Sequence, residues 1–131
     1  MEKQFDFKNI NLAKITNSQE IRLWILIPAI KKEMATYLVN EKSVSQKKIA
    51  EILNLTPAAI SQYVNDKRAN IVNFNEDIRN KIYESANKIY EKKSLAKIEI
   101  ANLLYYDEIK KLVCKIHKSI DPDFKNCSIE Y

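Results

Sequence analysis

The chain has no glycine, one histidine, two cysteines and three prolines among its 131 residues. Without glycine it has no Gly-rich loop to hold a phosphate, which excludes nucleotide-binding motifs of that kind. The 13 asparagines are expected to fill the turn positions that glycine usually takes, because asparagine tolerates a positive φ better than most residues. One histidine and two separated cysteines provide no evident nucleophile, base or oxyanion site, so we expect no enzymatic activity.

Long hydrophobic runs are also missing. The longest, Leu23 to Ile27, is far shorter than the roughly 20 residues that a membrane-spanning helix needs. Residues 1–10 contain acidic side chains and no apolar core of the length that a secretory signal requires, so we expect a cytoplasmic protein. An apolar fraction of 46% is nevertheless sufficient for one compact domain, or for a small domain with an appendage.

The charge is moderately basic, with 22 basic and 17 acidic side chains and a formal net charge of +5. The surplus lies in residues 1–70, because residues 71–131 carry eleven basic and ten acidic groups. A basic excess favours a polyanionic partner such as nucleic acid. A solvated lysine face would give the same total, so the charge supports such a partner without requiring it.

Residues 44–70 contain the most informative pattern. Ser45 is expected to cap a short helix. The apolar residues of that helix share one face by their i, i+3, i+4 spacing and are Ile49, Ile52 and Leu53. Asn54 is expected to turn the chain, and Thr56 is expected to cap a second helix with Pro57 at its first position. Two short helices joined by a tight turn predict a helix-turn-helix unit.

In the DNA-binding form of this unit, the second helix enters the major groove with its N-terminal residues at the base edges. Gln62 is the candidate base reader because its amide can bond adenine at two points, and Pro57 and Ala58 are candidates for contact with a thymine methyl. Lys67 and Arg68 would contact phosphates. The other candidate DNA contacts are polar or basic and are Gln46, Lys47, Lys48, Thr56, Ser61 and Asn65.

The segments IPAIKKEMATYLV and SQKKIAEILNLTPAAISQYVNDKR resemble the lambda-repressor-like, XRE-type helix-turn-helix, and more narrowly a group of small archaeal transcriptional regulators. The similarity covers roughly residues 24–70. It implies a sequence-specific regulator that binds double-stranded DNA. It also divides the chain into an N-terminal arm, a DNA-binding domain and a C-terminal helical segment, over residues 1–19, 20–73 and 74–131. Asn54 stands where the turn usually has glycine, and Ala69 follows Arg68 where a glycine is usual.

The elements around the motif are expected to be helical, which makes the predicted fold all-α. Residues 20–27 are apolar enough to be buried, and Pro28 is placed in the first turn of a supporting helix that runs to about Val39. A further helix is expected to begin after Asn75 as its N-cap. The apolar stripe of that helix is Ile78, Ile82, Ala86 and Ile89.

The last third of the chain is expected to form two more helices, with one continuous helix as the alternative. Ser94 could cap the first and Asp107 the second. The apolar residues on one side of the first are Leu95, Ile98, Ala101 and either Leu104 or Tyr105. The residues expected to be buried in the second are Ile109, Leu112, Val113, Ile116 and Ile120.

This C-terminal segment carries more apolar surface than a short tail can bury, so we expect it to make a homodimer contact. A two-fold dimer reads two DNA half-sites at once. The alternative is that these side chains cover the core of the motif within one chain. The strongest rival function is accordingly a small helical interaction module, an adaptor or an antitoxin-like partner, that binds protein instead of DNA.

Cys114 and His117 are spaced C-x-x-H, and Cys127 follows. The archaeal regulators that the chain resembles carry Cys-x-x-Cys and a later Cys-x-x-His, so His117 and Glu130 here replace a cysteine and a histidine. The resemblance therefore implies a zinc or Fe–S site at Cys114, His117 and Cys127, with substitutions at two of its four positions. The alternatives are a core cysteine beside a surface histidine, and a Cys114–Cys127 disulfide, which a reducing cytoplasm disfavours.

Overall fold

A computed structural model describes residues 18–65 and 72–120, and every element in these two stretches is a helix. The all-α prediction is therefore confirmed for the described residues, while residues 1–17 of the predicted arm lie outside them. The elements in chain order are α1 (Ser18–Ile21), a π-helical segment (Arg22–Leu26), α2 (Ile27–Lys42), α3 (Gln46–Ile52), α4 (Pro57–Val64), α5 (Glu76–Tyr90), α6 (Ala96–Leu104) and α7 (Asp107–Ile120). In this part of the chain, no helix combines the length and the apolar character that crossing a membrane demands.

The supporting helix α2 begins at Ile27 with Pro28 in its first turn, as predicted, although it continues a chain that is helical without interruption from Ser18. Pro28 directly follows the π-helical segment, in which the Ile27 N–H donates to Arg22 O across five residues instead of four. Because the wider turn has already shifted the hydrogen-bond register, the helix accommodates the missing N–H of proline. The helix also ends three residues later than predicted, at Lys42, where Val44 N–H donates to Leu38 O at 3.1 Å.

The two short helices predicted after residue 44 are present as α3 and α4, and their caps are confirmed. Ser45 Oγ accepts the Lys48 N–H at 3.2 Å, and Thr56 Oγ1 accepts the Ala59 N–H at 3.1 Å. Asn54 turns the chain with a φ of 55°, as predicted. α3 and α4 pack on each other and both pack on α2, with Ile49 and Ile60 fully buried between them. The buried side chains of α4 therefore determine which face of this helix points to solvent.

Three further helices complete the bundle. The Asn75 cap of α5 is confirmed by its Oδ1, which accepts the Ile78 N–H at 2.9 Å, and the predicted stripe of α5 is buried. α5 packs on α2, α6 packs on α5, and α7 contacts both α6 and α1. The residues predicted to be buried in α7 are confirmed for Ile109, Leu112, Val113 and Ile116, whereas the side chain of Ile120 lies outside the description. One hydrophobic cluster therefore joins all of these helices.

Two predicted helix starts in this region are wrong. α6 begins at Ala96 with Leu95 at the N-cap position and no side-chain cap, and Ser94 belongs instead to the end of α5, where its N–H donates to Lys88 O at 3.3 Å. Asp107 is the first residue of α7 and not its cap, where its charge favours the helix N-terminus. The break between α6 and α7 also rules out one continuous helix.

The expectation that asparagines fill the turns is only partly correct. In the described residues a positive φ occurs at Asn54, Ser43 and Lys92. Lys92 closes α5 with a φ of 61°, where its N–H donates to Ile89 O at 3.1 Å and the Lys93 N–H donates to Lys88 O at 2.9 Å. This is the Schellman pattern of helix ends, which normally uses glycine. Hydrogen-bond closure, and not residue preference, has set the backbone at Lys92.

Candidate nucleic-acid interface

α4 divides sharply into an inner and an outer face. Ala59, Ile60 and Tyr63 are buried against the bundle, with Ala59 small enough to let the helix lie close. The outer face is formed by the exposed residues Pro57, Ala58, Gln62 and Asn65 and the half-buried Ser61. These five residues, predicted as DNA contacts, therefore share one solvent-facing surface, which we call the α4 surface.

The Gln62 amide is the most adaptable polar group of the α4 surface. Gln62 is exposed, and no side-chain hydrogen bond ties it to another described residue. Asn65 Nδ2, in contrast, donates to Ser61 Oγ at 3.5 Å, so these two side chains already restrain each other. An amide with both a free donor and a free acceptor can form a bidentate pair with a base edge or with another amide.

The N-terminus of α4 offers few donors for an anion. Thr56 is exposed, but its oxygen already accepts the Ala59 N–H. Pro57 has no N–H, so Ala58 N–H is the first-turn donor that is left. The Thr56 hydroxyl hydrogen can still be donated. This end of α4 can therefore contact one phosphate oxygen or two, and it cannot by itself provide strong affinity.

Positive charge is placed on α3 and not on α4. Lys47 is exposed and Lys48 is half-buried at the start of α3, beside the exposed amide of Gln46, while Glu51 follows one turn later. The helical residues of α4 carry no charge. The predicted contacts Lys67 and Arg68 lie outside the described residues. Gln46, Lys47 and Lys48 thus supply the polar and basic edge beside the α4 surface.

No family model, no curated protein and no solved structure matches the chain.

The predicted metal ligands are not brought together among the described residues. Cys114 and His117 are both half-buried on α7, and Cys127 lies outside the description. Cys114 is disulfide-bonded in the structure, which is the alternative that a reducing cytoplasm disfavours. A zinc or Fe–S site at these residues would first require reduction of Cys114, since the thiolate is the ligand. Within the two described stretches, no group of three or more histidine, cysteine or acidic residues is arranged to hold a metal ion.

A polar and aromatic cluster between α2 and α5 was missed from the sequence. The rings of Tyr37 and Tyr83 stack with centroids 4.3 Å apart, and Asn87 Nδ2 donates to the Tyr37 hydroxyl at 2.9 Å. Tyr83 donates to Glu33 at 3.5 Å, and Arg79 Nε lies 3.8 Å from the same carboxylate. Burial, and next the charge of Glu33, raise the pKa of Tyr83. The cluster holds α5 against the helix that supports α3 and α4.

A second feature missed from the sequence is the buried Arg22 of the π-helical segment. Its Nη1 donates to Gln19 Oε1 at 3.3 Å. Burial lowers the pKa of Arg22, and the nearby Tyr105 at the end of α6 partly opposes this shift. Arg22 lies in a stretch predicted to be buried for its apolar character, whereas Trp24 in the same stretch is 55% exposed. The π-helical turn changes which residues face inward, so an α-helical periodicity could not identify either one.

The exposed apolar side chains of α6 form a further surface. Leu95, Ile98 and Tyr105 are 58%, 47% and 61% exposed, and Ala101 is exposed among them. The 3, 4, 3 spacing of one helix face is followed by Leu95, Ile98, Asn102 and Tyr105, and Ala101 lies beside them. We call these five residues the α6 face. The opposite side of α6, with Ile100 and Leu103, is buried against the bundle.

Proposed function

We propose that this chain is a sequence-specific regulator of transcription that binds double-stranded DNA through a lambda-repressor-like helix-turn-helix formed by α3 and α4. The observation that carries the proposal is the α4 surface. Its small residues Pro57 and Ala58 leave room for a duplex, and the unengaged Gln62 amide projects from the same face. In this use of the motif, α4 lies in the major groove and α2 packs behind it.

Each residue of the interface has a distinct role in this proposal. Gln62 reads a base, with adenine as the best geometric partner, and Pro57 and Ala58 meet a thymine methyl. Lys47, with Gln46 and Thr56, fixes the register on the phosphates without reading sequence. Because the α3–α4 unit contains few charges, affinity on a specific site depends on fit in the groove more than on charge alone.

A second copy of the chain is the proposed partner at the α6 face. Its apolar residues repeat at the spacing of a helix–helix seam, and half of their surface is open to solvent. The exposed Ala101 at the middle would let two α6 helices approach closely. A two-fold dimer would present two α4 surfaces to two half-sites, so two weak contacts with DNA would combine into tight binding.

Binding to duplex DNA at two salt concentrations tests the proposal. We expect fluorescence anisotropy to detect binding to a mixed duplex at about 50 mM salt and a steep loss at about 200 mM, because phosphate contacts release counterions. Selection of bound fragments from genomic DNA should then recover a sequence with two similar half-sites. Absence of binding at the lower salt, together with a selection that recovers no sequence, would refute DNA binding if circular dichroism shows that the chain is folded.

One observation favours an alternative, a small helical module that binds protein. Trp24 and the α6 face expose more large apolar side chains than a DNA reader requires. In that case the α4 surface would contact a protein partner. Neither the parent chain nor a Gln62 variant would then show salt-dependent binding to duplex DNA. The same anisotropy measurement therefore separates the two functions.

A further inference from the structure

A cavity of about 260 Å³ lies between α5 and α6. Two of its lining side chains are buried polar groups, since Ser85 and Glu99 are only 7% and 6% exposed. Lys88 and Asn102 line its more exposed part, and the ring of Tyr106 lines it as well. Buried polar side chains concentrated at one cavity are typical of a ligand site and not of a hydrophobic core.

Glu99 is the most buried charged residue of this cavity. No hydrogen bond or ion pair joins its carboxylate to another residue in the described part of the chain. The side chain lines the cavity, and its oxygens are not among the polar atoms that the described residues shut off from solvent. The carboxylate is therefore open to a ligand in the cavity.

The other end of the cavity has the opposite charge. Lys81 Nζ is held 3.8 Å from Glu84 and lies 5.5 Å from the centre of the Tyr106 ring. Lys88, in contrast, has no ion-pair partner among the described residues. The cavity therefore combines one carboxylate and one lysine that have no partner among the described residues, and a ligand that binds to both must carry both charges.

We propose that this cavity binds a small zwitterion of the α-amino-acid class. The ligand's ammonium group would meet Glu99 and the Ser85 hydroxyl, and its carboxylate would meet Lys88. The volume agrees with this class, because about 260 Å³ falls just below the roughly 300 Å³ at which drug-sized ligand pockets begin. A nucleotide would bring no cation for Glu99.

The site also touches the proposed dimer contact. Asn102 and Tyr105 line the cavity and belong to the α6 face. A ligand in the cavity is therefore expected to change the dimer contact. This consequence rests on the proposed function, whereas the binding of the ligand does not depend on it.

Titration of the full chain without DNA tests the site. Each of the 20 proteinogenic L-amino acids is added to ¹⁵N-labelled protein, with acetate and methylammonium as probes that carry one charge each. We expect at least one amino acid to produce saturable shifts at Ser85, Glu99 and Asn102 at millimolar concentration or below, and neither single-charge probe to do so. Glu99→Gln should weaken that binding at least tenfold, whereas Glu108→Gln on α7, outside the cavity, should leave it unchanged.

The proposal is overturned if none of the 20 amino acids saturates, or if Glu99→Gln binds as tightly as the parent. If Glu99→Gln proves unfolded by circular dichroism, Lys88→Met takes its place, since Lys88 is exposed and outside the core. Equal binding by parent and Lys88→Met would then exclude recognition of the ligand carboxylate and refute the zwitterion. Because no DNA is present, a failure here is distinct from a failure of the proposed regulator.

Discussion

Replacement of Gln62 by alanine separates base reading from general attraction to DNA. Gln62 is exposed and makes no side-chain hydrogen bond to the described residues, so its truncation should change the free energy of unfolding by less than about 0.5 kcal/mol. If it forms a bidentate pair with a base, the loss on the specific site is about 1–3 kcal/mol. That corresponds to a dissociation constant roughly 5 to 150 times larger.

The assay is fluorescence anisotropy on a selected duplex and on a random duplex at one salt concentration. Gln62→Ala should weaken binding only on the selected duplex and leave the salt dependence unchanged, because the phosphate contacts are kept. Gln46→Ala is the matched control, since it removes an exposed amide expected to contact a phosphate and should affect both duplexes equally. Equal losses on both duplexes for Gln62→Ala would refute base reading by this residue.

Three further predictions concern assembly and stability. Ile98→Lys should convert a dimer to a monomer in sedimentation equilibrium without loss of helix content, because Ile98 is 47% exposed on the α6 face; a parent chain that is already monomeric at micromolar concentration would contradict the dimer. Lys92→Gly should raise the free energy of unfolding, measured in urea, by roughly 0.5–1 kcal/mol, because relief of the left-handed lysine backbone exceeds the extra entropy of the unfolded glycine. Asn54→Gly should raise the free energy of unfolding by less, and an equal increase would refute this explanation. The raised folded-state pKa of Tyr83 means that its contribution to stability is complete below pH 10 and is lost as the pH rises through the folded pKa. Tyr83→Phe should therefore lose less stability than the parent chain between pH 9 and pH 11 in urea titrations, and parallel curves would argue against a raised pKa of the Tyr83 phenol.

The features predicted correctly from the sequence are those that depend on neighbouring residues. Ser45, Thr56 and Asn75 cap their helices because a short polar side chain can reach the first-turn N–H from that position. The buried stripe of α5 follows from the helical period alone. Both kinds of signal are contained within a few consecutive residues.

The features that were missed depend on how one helix ends and on how the helices pack. Ser94 is a good capping residue, but it belongs to the end of α5, where its N–H donates to Lys88 O. Lys92 adopts a left-handed backbone because that closure demands it, although lysine has no preference for this conformation. The buried position of Glu99 depends on how α6 packs on α5, which no local pattern records.

Only part of the candidate interface could be predicted from the sequence. The outward direction of Gln62 follows from the helical period once Ile60 is assigned to the core. The tie between Asn65 and Ser61, and the use of the Thr56 oxygen by its own helix, required the folded geometry. These contacts reduce the number of polar groups that remain for a ligand.

The π-helical segment before Pro28 acts as a one-residue insertion in an otherwise regular helix. A π-helical turn takes up about one residue more than an α-helical turn, so deletion of one residue from positions 22–26 would restore a regular α-helix and leave α1 on the same side of α2. Ile21, fully buried where α1 meets α7, would keep its neighbours. This segment should therefore tolerate the loss of one amino acid, whereas the same deletion inside the regular part of α2 would turn the preceding chain by about 100° and release α7.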